Sequence, residues 1–105
     1  MPRSKSPAQA FPPGDFIREE LEARGWTQRD LAEIIGRPVQ AISAIVNGRR
    51  GVTPETAVAL GAAFGTSPDF WLNLESAYRL DKAGPADPGI EIRARQWSKT
   101  RTAQR

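Results

Sequence analysis

The chain has 105 residues, enough for one small domain with a modest core but not for two independent ones. It contains no cysteine and no histidine, which excludes disulfides, thiolate nucleophiles, imidazole bases and the usual zinc or haem ligand sets. The formal net charge of +3 is unevenly spread: residues 1–10 carry +2, residues 11–84 carry −2 and residues 85–105 carry +3.

No carboxylate pair flanked by apolar residues suggests a tuned acid and base, so no enzyme activity, catalytic residue, cofactor or metal is expected. No apolar run approaches the roughly 20 residues needed to span a bilayer, and MPRSKSPAQA lacks the apolar centre of a signal peptide. The expected location is therefore the cytoplasm, with no membrane partner. The chain divides into a polar leader over residues 1–10, an all-α domain of five helices over 11–84, and a basic tail over 85–105.

The first helix is predicted from Pro13-Gly14 to Arg24, with Asp15, Glu19 and Glu20 early, where negative charge suits the helix dipole, and Gly25 at its end. Phe16, Ile17 and Leu21 are expected to face the core. The second helix opens at Thr27, whose hydroxyl can cap the backbone, with Asp30 three residues on as a variant of the capping box. Leu31, Ala32 and Ile35 form its buried stripe, and Gly36 stops it. Arg37 precedes a proline and belongs to the turn, which leaves Pro38 as the expected first residue of the third helix. Two short amphipathic helices joined this tightly form a helix-turn-helix DNA reader.

On a wheel of about 100° per residue, Ile42, Ile45 and Val46 group on one side of the third helix, while Gln40, Ser43, Ala44 and Asn47 fall within an arc of about 100° on the other. None of these four is bulky or charged, so this face can approach the floor of a DNA groove. Glutamine can offer a donor and an acceptor to adenine, serine can bond most bases, and an alanine methyl can touch that of thymine. A solvated helix face would share this polarity. The glycine-marked joint on one side and Asn47-Gly48-Arg49-Arg50 on the other favour DNA instead. Positions 37–50 contain Arg37, Arg49 and Arg50 and no acid, so these arginines are read as phosphate ligands. Gln28, at the start of the second helix, is similarly placed for a phosphate.

The fourth and fifth helices have matching starts, Thr53-Pro54-Glu55 and Ser67-Pro68-Asp69: a capping hydroxyl, a proline in the first turn, then an acid. Ala57, Leu60, Gly61 and Phe64 make a close-packing stripe on the fourth. On the fifth, Phe70, Trp71, Leu74 and Tyr78 line one side, more in keeping with core than with a binding surface. Trp71, Leu74 and Tyr78 are also candidates for a dimer or partner interface, because a small chain has little with which to cover them. After Lys82 the glycines and prolines end any helix. Ile90-Glu91-Ile92-Arg93-Ala94-Arg95 then alternates apolar with charged residues, the period of a short strand over 90–95, with Ile90 and Ile92 as further interface candidates. A disordered basic tail is the competing reading of that segment, and Trp97 to Arg105 is expected to be disordered, adding loose attraction to DNA.

TQRDLAEIIG followed by ISAIVNG resembles the lambda-repressor-like, XRE-type helix-turn-helix. Three flanking runs narrow the resemblance: Pro13-Gly14-Asp15, the stretch from Asn47 to Ala57, and the stretch from Phe64 to Glu75 with its Phe-Trp-Leu-Asn-Leu core. Together they are similar to the HigA, or VapI-like, antitoxins over about residues 12–82. The usual His-Pro-Gly-Glu of that family stands here as Pro12-Pro13-Gly14-Asp15, and the acidic helical stretch that tends to follow the fifth helix is interrupted by Pro85 and Pro88.

The resemblance implies a homodimeric antitoxin that neutralises a HigB-like toxin, a ribosome-dependent mRNA endonuclease, and represses its own operon at an inverted repeat of double-stranded DNA. A free-standing XRE-type repressor without a toxin shares every helix-turn-helix residue with that reading. A small basic toxin frame next to the gene would separate the two. A protein-interaction module that has lost DNA binding is disfavoured by the intact small, polar face of the third helix.

Overall fold

The computed structural model describes residues 10–103, with side chains to Trp97, and contains six helices. They are α1 (Pro13–Arg24), α2 (Gln28–Ile35), α3 (Val39–Val46), α4 (Pro54–Phe64), α5 (Pro68–Ala83) and α6 (Pro88–Ala103). The leader expected over residues 1–10 lies, apart from Ala10, outside the described residues, as do Gln104 and Arg105 of the tail. The all-α expectation holds throughout: no strand occurs among the described residues.

The helix starts follow from local chemistry. Thr27 Oγ1 accepts the Asp30 N–H at 3.0 Å, while Asp30 Oδ2 accepts the Thr27 N–H at 2.8 Å, a reciprocal capping box that satisfies two otherwise orphaned donors. Thr53 accepts from the Thr56 N–H and Ser67 from the Phe70 N–H, each followed by a proline whose missing N–H costs nothing in the first turn. One boundary moves from its expected place. Pro38 sits at φ −61° and ψ 146°, outside helical geometry, so it caps α3 and Val39 is the first helical residue.

The core takes Ile17 and Leu21 from α1, Leu31 and Ala32 from α2, and Ile42, Ile45 and Val46 from α3. Val52 joins from the α3–α4 loop, with Ala57, Leu60 and Phe64 from α4 and Trp71 from α5. Phe16 and Ile35, both expected to face inward, are half-buried and pack at its edge. Burying each large aliphatic side chain of this set is worth roughly 1.5–3 kcal/mol, which is what holds helices as short as α2 and α3 in place.

Two contacts close the ends of the core. The Arg24 guanidinium lies 5.4 Å from the Trp26 ring and 5.3 Å from the Phe64 ring, and it donates to the Phe64 carbonyl at 2.8 Å. It thereby satisfies one of the carbonyls left open at the C-terminus of α4. At the other end, Gly14 lets the start of α1 meet the end of α3. A β-carbon there would lie 2.8 Å from the Val46 carbonyl carbon and closer still to its oxygen.

The alternating segment 90–95 is not a strand but the first part of α6. Two forces decide it. A lone strand leaves its backbone groups unpaired, whereas a helix pairs them internally, and Ala94, Arg95 and Gln96 are good helix formers. Asp87 supplies the start: its Oδ1 accepts the Gly89 N–H at 3.0 Å, and Pro88 follows in the first turn. The helix continues through residues 97–103, where disorder was expected. It packs extensively against none of the other helices.

Candidate nucleic-acid interface

The α2–α3 joint is built by Gly36, whose φ of 83° reverses the chain at a value that disfavours any side chain, and by the extended Pro38. With Ile42, Ile45 and Val46 buried, the opposite side of α3 is turned outward. Gln40 and Asn47 are exposed, and Ser43 and Ala44 are half-buried. The four residues expected to share one face therefore do share it. Gln28, in the first turn of α2, is half-buried, and Arg37 is exposed in the joint.

Arg37 has a partner that its sequence position does not announce. Its Nη1 donates to Thr56 Oγ1 at 3.4 Å, so the guanidinium bridges the helix-turn-helix joint to the first turn of α4. Arg49 and Arg50 follow Gly48, whose φ of 78° turns the chain off the helix. Both of their backbone N–H groups donate to the Ala44 carbonyl, at 2.8 and 3.1 Å, which fixes where the two exposed side chains leave the surface. Beyond them the Glu75 carboxylate of α5 accepts the Val52 N–H at 2.9 Å and pairs with Arg79. The arginine-bearing loop is thus tied to α3 on one side and to α5 on the other.

The segment that carries the face is one-signed in charge. From Ile34 to Pro54 the chain has three arginines and no carboxylate, which suits a polyanion. A fourth cation comes from a place where sequence reading found none. Arg18, on α1, donates from Nη2 to Asn47 Oδ1 at 3.0 Å and lies 3.5 Å from Asp15. The only hint in the sequence is a lone basic residue in the acidic first turns of α1; its meeting with Asn47 is tertiary.

The interface candidates separate. Trp71 is removed from the set, because it is fully buried and its indole N–H is spent on Thr66 Oγ1 at 2.7 Å. Its neighbour Phe70 takes the surface position, 39% exposed, with Phe16 edge-on at 6.0 Å. Leu74 and Tyr78 of α5 are half-buried, Leu74 with its side chain packed against the core. Tyr78 lines a groove of about 360 Å³ together with Pro12, Ile45, Gly48, Arg50 and Lys82, directly behind the arginine-bearing loop. Ile90 and Ile92 are both about half exposed on α6, apart from that groove.

Among the described residues, no cluster of acidic side chains is arranged to hold a metal ion, and no helix is long and apolar enough to cross a membrane.

Residues 17–71 match the helix-turn-helix family model. Virulence-associated protein I of Dichelobacter nodosus is 34% identical over 93 residues, covering 88% of this chain and 86% of that protein. Among solved structures, an addiction-module antidote protein of the HigA family from Coxiella burnetii superimposes with a TM-score of 0.68 at 33% identity, covering 87% of this chain and 94% of its own. The Pseudomonas aeruginosa antitoxin HigA, solved with the higBA promoter, gives 0.68 at 33% identity over 71% of this chain and 83% of that one.

Proposed function

The chain belongs to the HigA, VapI-like family of helix-turn-helix antitoxins, which are DNA-binding regulators rather than enzymes, and on that premise we propose that it represses its own operon and neutralises a HigB-like toxin. The observation that carries the DNA half of this reading is the outward face of α3. Three of its side chains are locked into the core, and the small or polar set opposite them is turned to solvent beside exposed arginines. A solved relative with the same fold is seen with promoter DNA, which supports the same use here.

In this reading Gln40, Ser43 and Ala44 meet base edges in the major groove, and Asn47 closes the contact at its end. Gln28, Arg37, Arg49 and Arg50 hold the phosphates and set the register, which contributes affinity without sequence preference. The protein acts as a homodimer in the cytoplasm, associated with the nucleoid when on its operator. A two-fold axis sets the two copies of α3 about 34–36 Å apart, one helical turn, so the operator is an inverted repeat. Tyr78, beside the arginine-bearing loop, and Leu74, at the edge of the core, are the candidates for the contact between copies or with the toxin, and Ile90 and Ile92 extend that set.

Co-expression with the neighbouring reading frame tests the toxin half. Rescue of growth together with co-purification supports neutralisation. Repression of the promoter with neither rescue nor co-purification makes the protein a free-standing repressor.

A further inference from the structure

Arg18, Asn47 and Ser43 form a chain of hydrogen bonds that runs from α1 onto the outward face of α3. Arg18 Nη2 donates to Asn47 Oδ1 at 3.0 Å, and Asn47 Nδ2 donates to Ser43 Oγ at 3.1 Å. The direction of the chain is fixed by chemistry. A guanidinium carries donors only, so the oxygen of the Asn47 amide must face Arg18 and its NH2 must face Ser43. Ser43 Oγ then has one of its two acceptor sites taken by Asn47, and its O–H and second lone pair remain for a base edge.

Arg18 is itself held from the other side by Asp15 at 3.5 Å. Asn47 is the residue on which α3 ends, so no further helical turn restrains its side chain, and the contact with α1 spans 29 positions of sequence.

We infer that Arg18 is a positioning residue for sequence recognition: through Asn47 it fixes the place of the Ser43 hydroxyl on the outward face of α3, and with it the base edge that Ser43 meets. The inference rests on the recognition face proposed above. A hydroxyl held in one place meets one position of the major-groove edge, whereas one free to turn can meet several. Arg18 acts here through another side chain and not as a phosphate ligand, and the two roles leave different traces. A phosphate ligand contributes to binding of every duplex and to its salt dependence, whereas a positioning residue contributes only where bases are read.

The experiment uses the full chain and a duplex selected by the wild-type protein from a library with a randomised central segment, beside an unrelated duplex. Affinities are measured across a salt series for Arg18→Ala, Asn47→Ala, the double variant and Ser43→Ala, and the selection is repeated with each. The expected result for Arg18→Ala is roughly five- to tenfold weaker binding of the selected duplex, unchanged binding of the unrelated one and an unchanged salt slope. The double variant should bind no worse than Asn47→Ala, and selection with Arg18→Ala or Asn47→Ala should show a weaker base preference at the position Ser43 reads.

A salt slope lowered by about one, with equal losses on both duplexes, would make Arg18 a phosphate ligand and overturn the inference. So would unchanged binding by Arg18→Ala while Ser43→Ala weakens it, with the recognition face left standing. Unchanged binding by Ser43→Ala and Asn47→Ala together would instead remove the face itself, and the positioning role with it.

Discussion

Glu75 reaches back from α5 to accept the backbone N–H of Val52 at 2.9 Å, so the loop that carries Arg49 and Arg50 is clamped by a carboxylate 23 residues further along the chain. The carboxylate is largely buried, and Arg79 covers its second oxygen. Replacing it with alanine leaves the Val52 N–H without its partner, a loss of about 1–3 kcal/mol for a buried donor. Glu75→Ala should therefore lower the unfolding free energy by that amount, read as a lower urea midpoint, and weaken binding to all duplexes through a loosened arginine loop. Glu75→Gln, which keeps an acceptor oxygen, should recover most of the stability.

Gly14 gives a second, purely steric prediction. Its α-carbon is packed against the Val46 carbonyl, with no room for a methyl group. Gly14→Ala should force α1 away from the end of α3 and cost about 1–3 kcal/mol, the usual range for overpacking. Thermal unfolding reads this directly. A melting temperature equal to that of wild type would mean that the α1–α3 contact is looser than described.

The pH dependence of α6 follows from Asp87. The Gly89 N–H that it accepts, and secondly the Arg93 guanidinium beside it, lower its carboxyl pKa below the ordinary value of 3.8. A carboxyl depressed in the folded state contributes stability above its unfolded pKa and loses it as the pH falls through the folded value. The first turn of α6 should accordingly fray on acidification below about pH 4, at the ordinary aspartate range, and not on raising the pH. The Gly89 amide shift in an NMR titration reports it, and Asp87→Asn should abolish that acid transition.

Much of the fold is legible in the sequence because helix starts and stops are local chemistry. Thr27, Thr53 and Ser67 cap as their neighbours dictate, and Gly36 ends α2 where the apolar stripe ends. The same grammar announces α6: Asp87-Pro88 with Glu91 behind it repeats the pattern of Thr53-Pro54 and Ser67-Pro68. The alternation of Ile90 and Ile92 pointed to a strand, but period alone cannot supply the partner that a strand needs. What stays hidden is tertiary. That Trp71 turns inward and Phe70 outward, that Glu75 holds Val52, and that Arg18 meets Asn47 all depend on how separate helices pack.

Arg49 and Arg50 test the phosphate part of the interface. Each neutralisation to alanine should lower the slope of log affinity against log salt by about 0.9 and weaken selected and unrelated duplexes alike. Fluorescence anisotropy over a salt series measures both effects. A slope equal to that of wild type would take these two residues out of the phosphate footprint.

The central claim, that the outward face of α3 reads operator DNA, is tested most directly by Gln40→Ala combined with Ser43→Ala. The measurement is binding to the promoter fragment upstream of the protein's own reading frame, against an unrelated duplex, with urea unfolding run in parallel. The expected result is operator binding weaker by about 30-fold or more, from the loss of two base contacts of about 1–3 kcal/mol each, with binding to the unrelated duplex and the unfolding midpoint unchanged. A double variant that folds normally and still binds the promoter as tightly as wild type would contradict it.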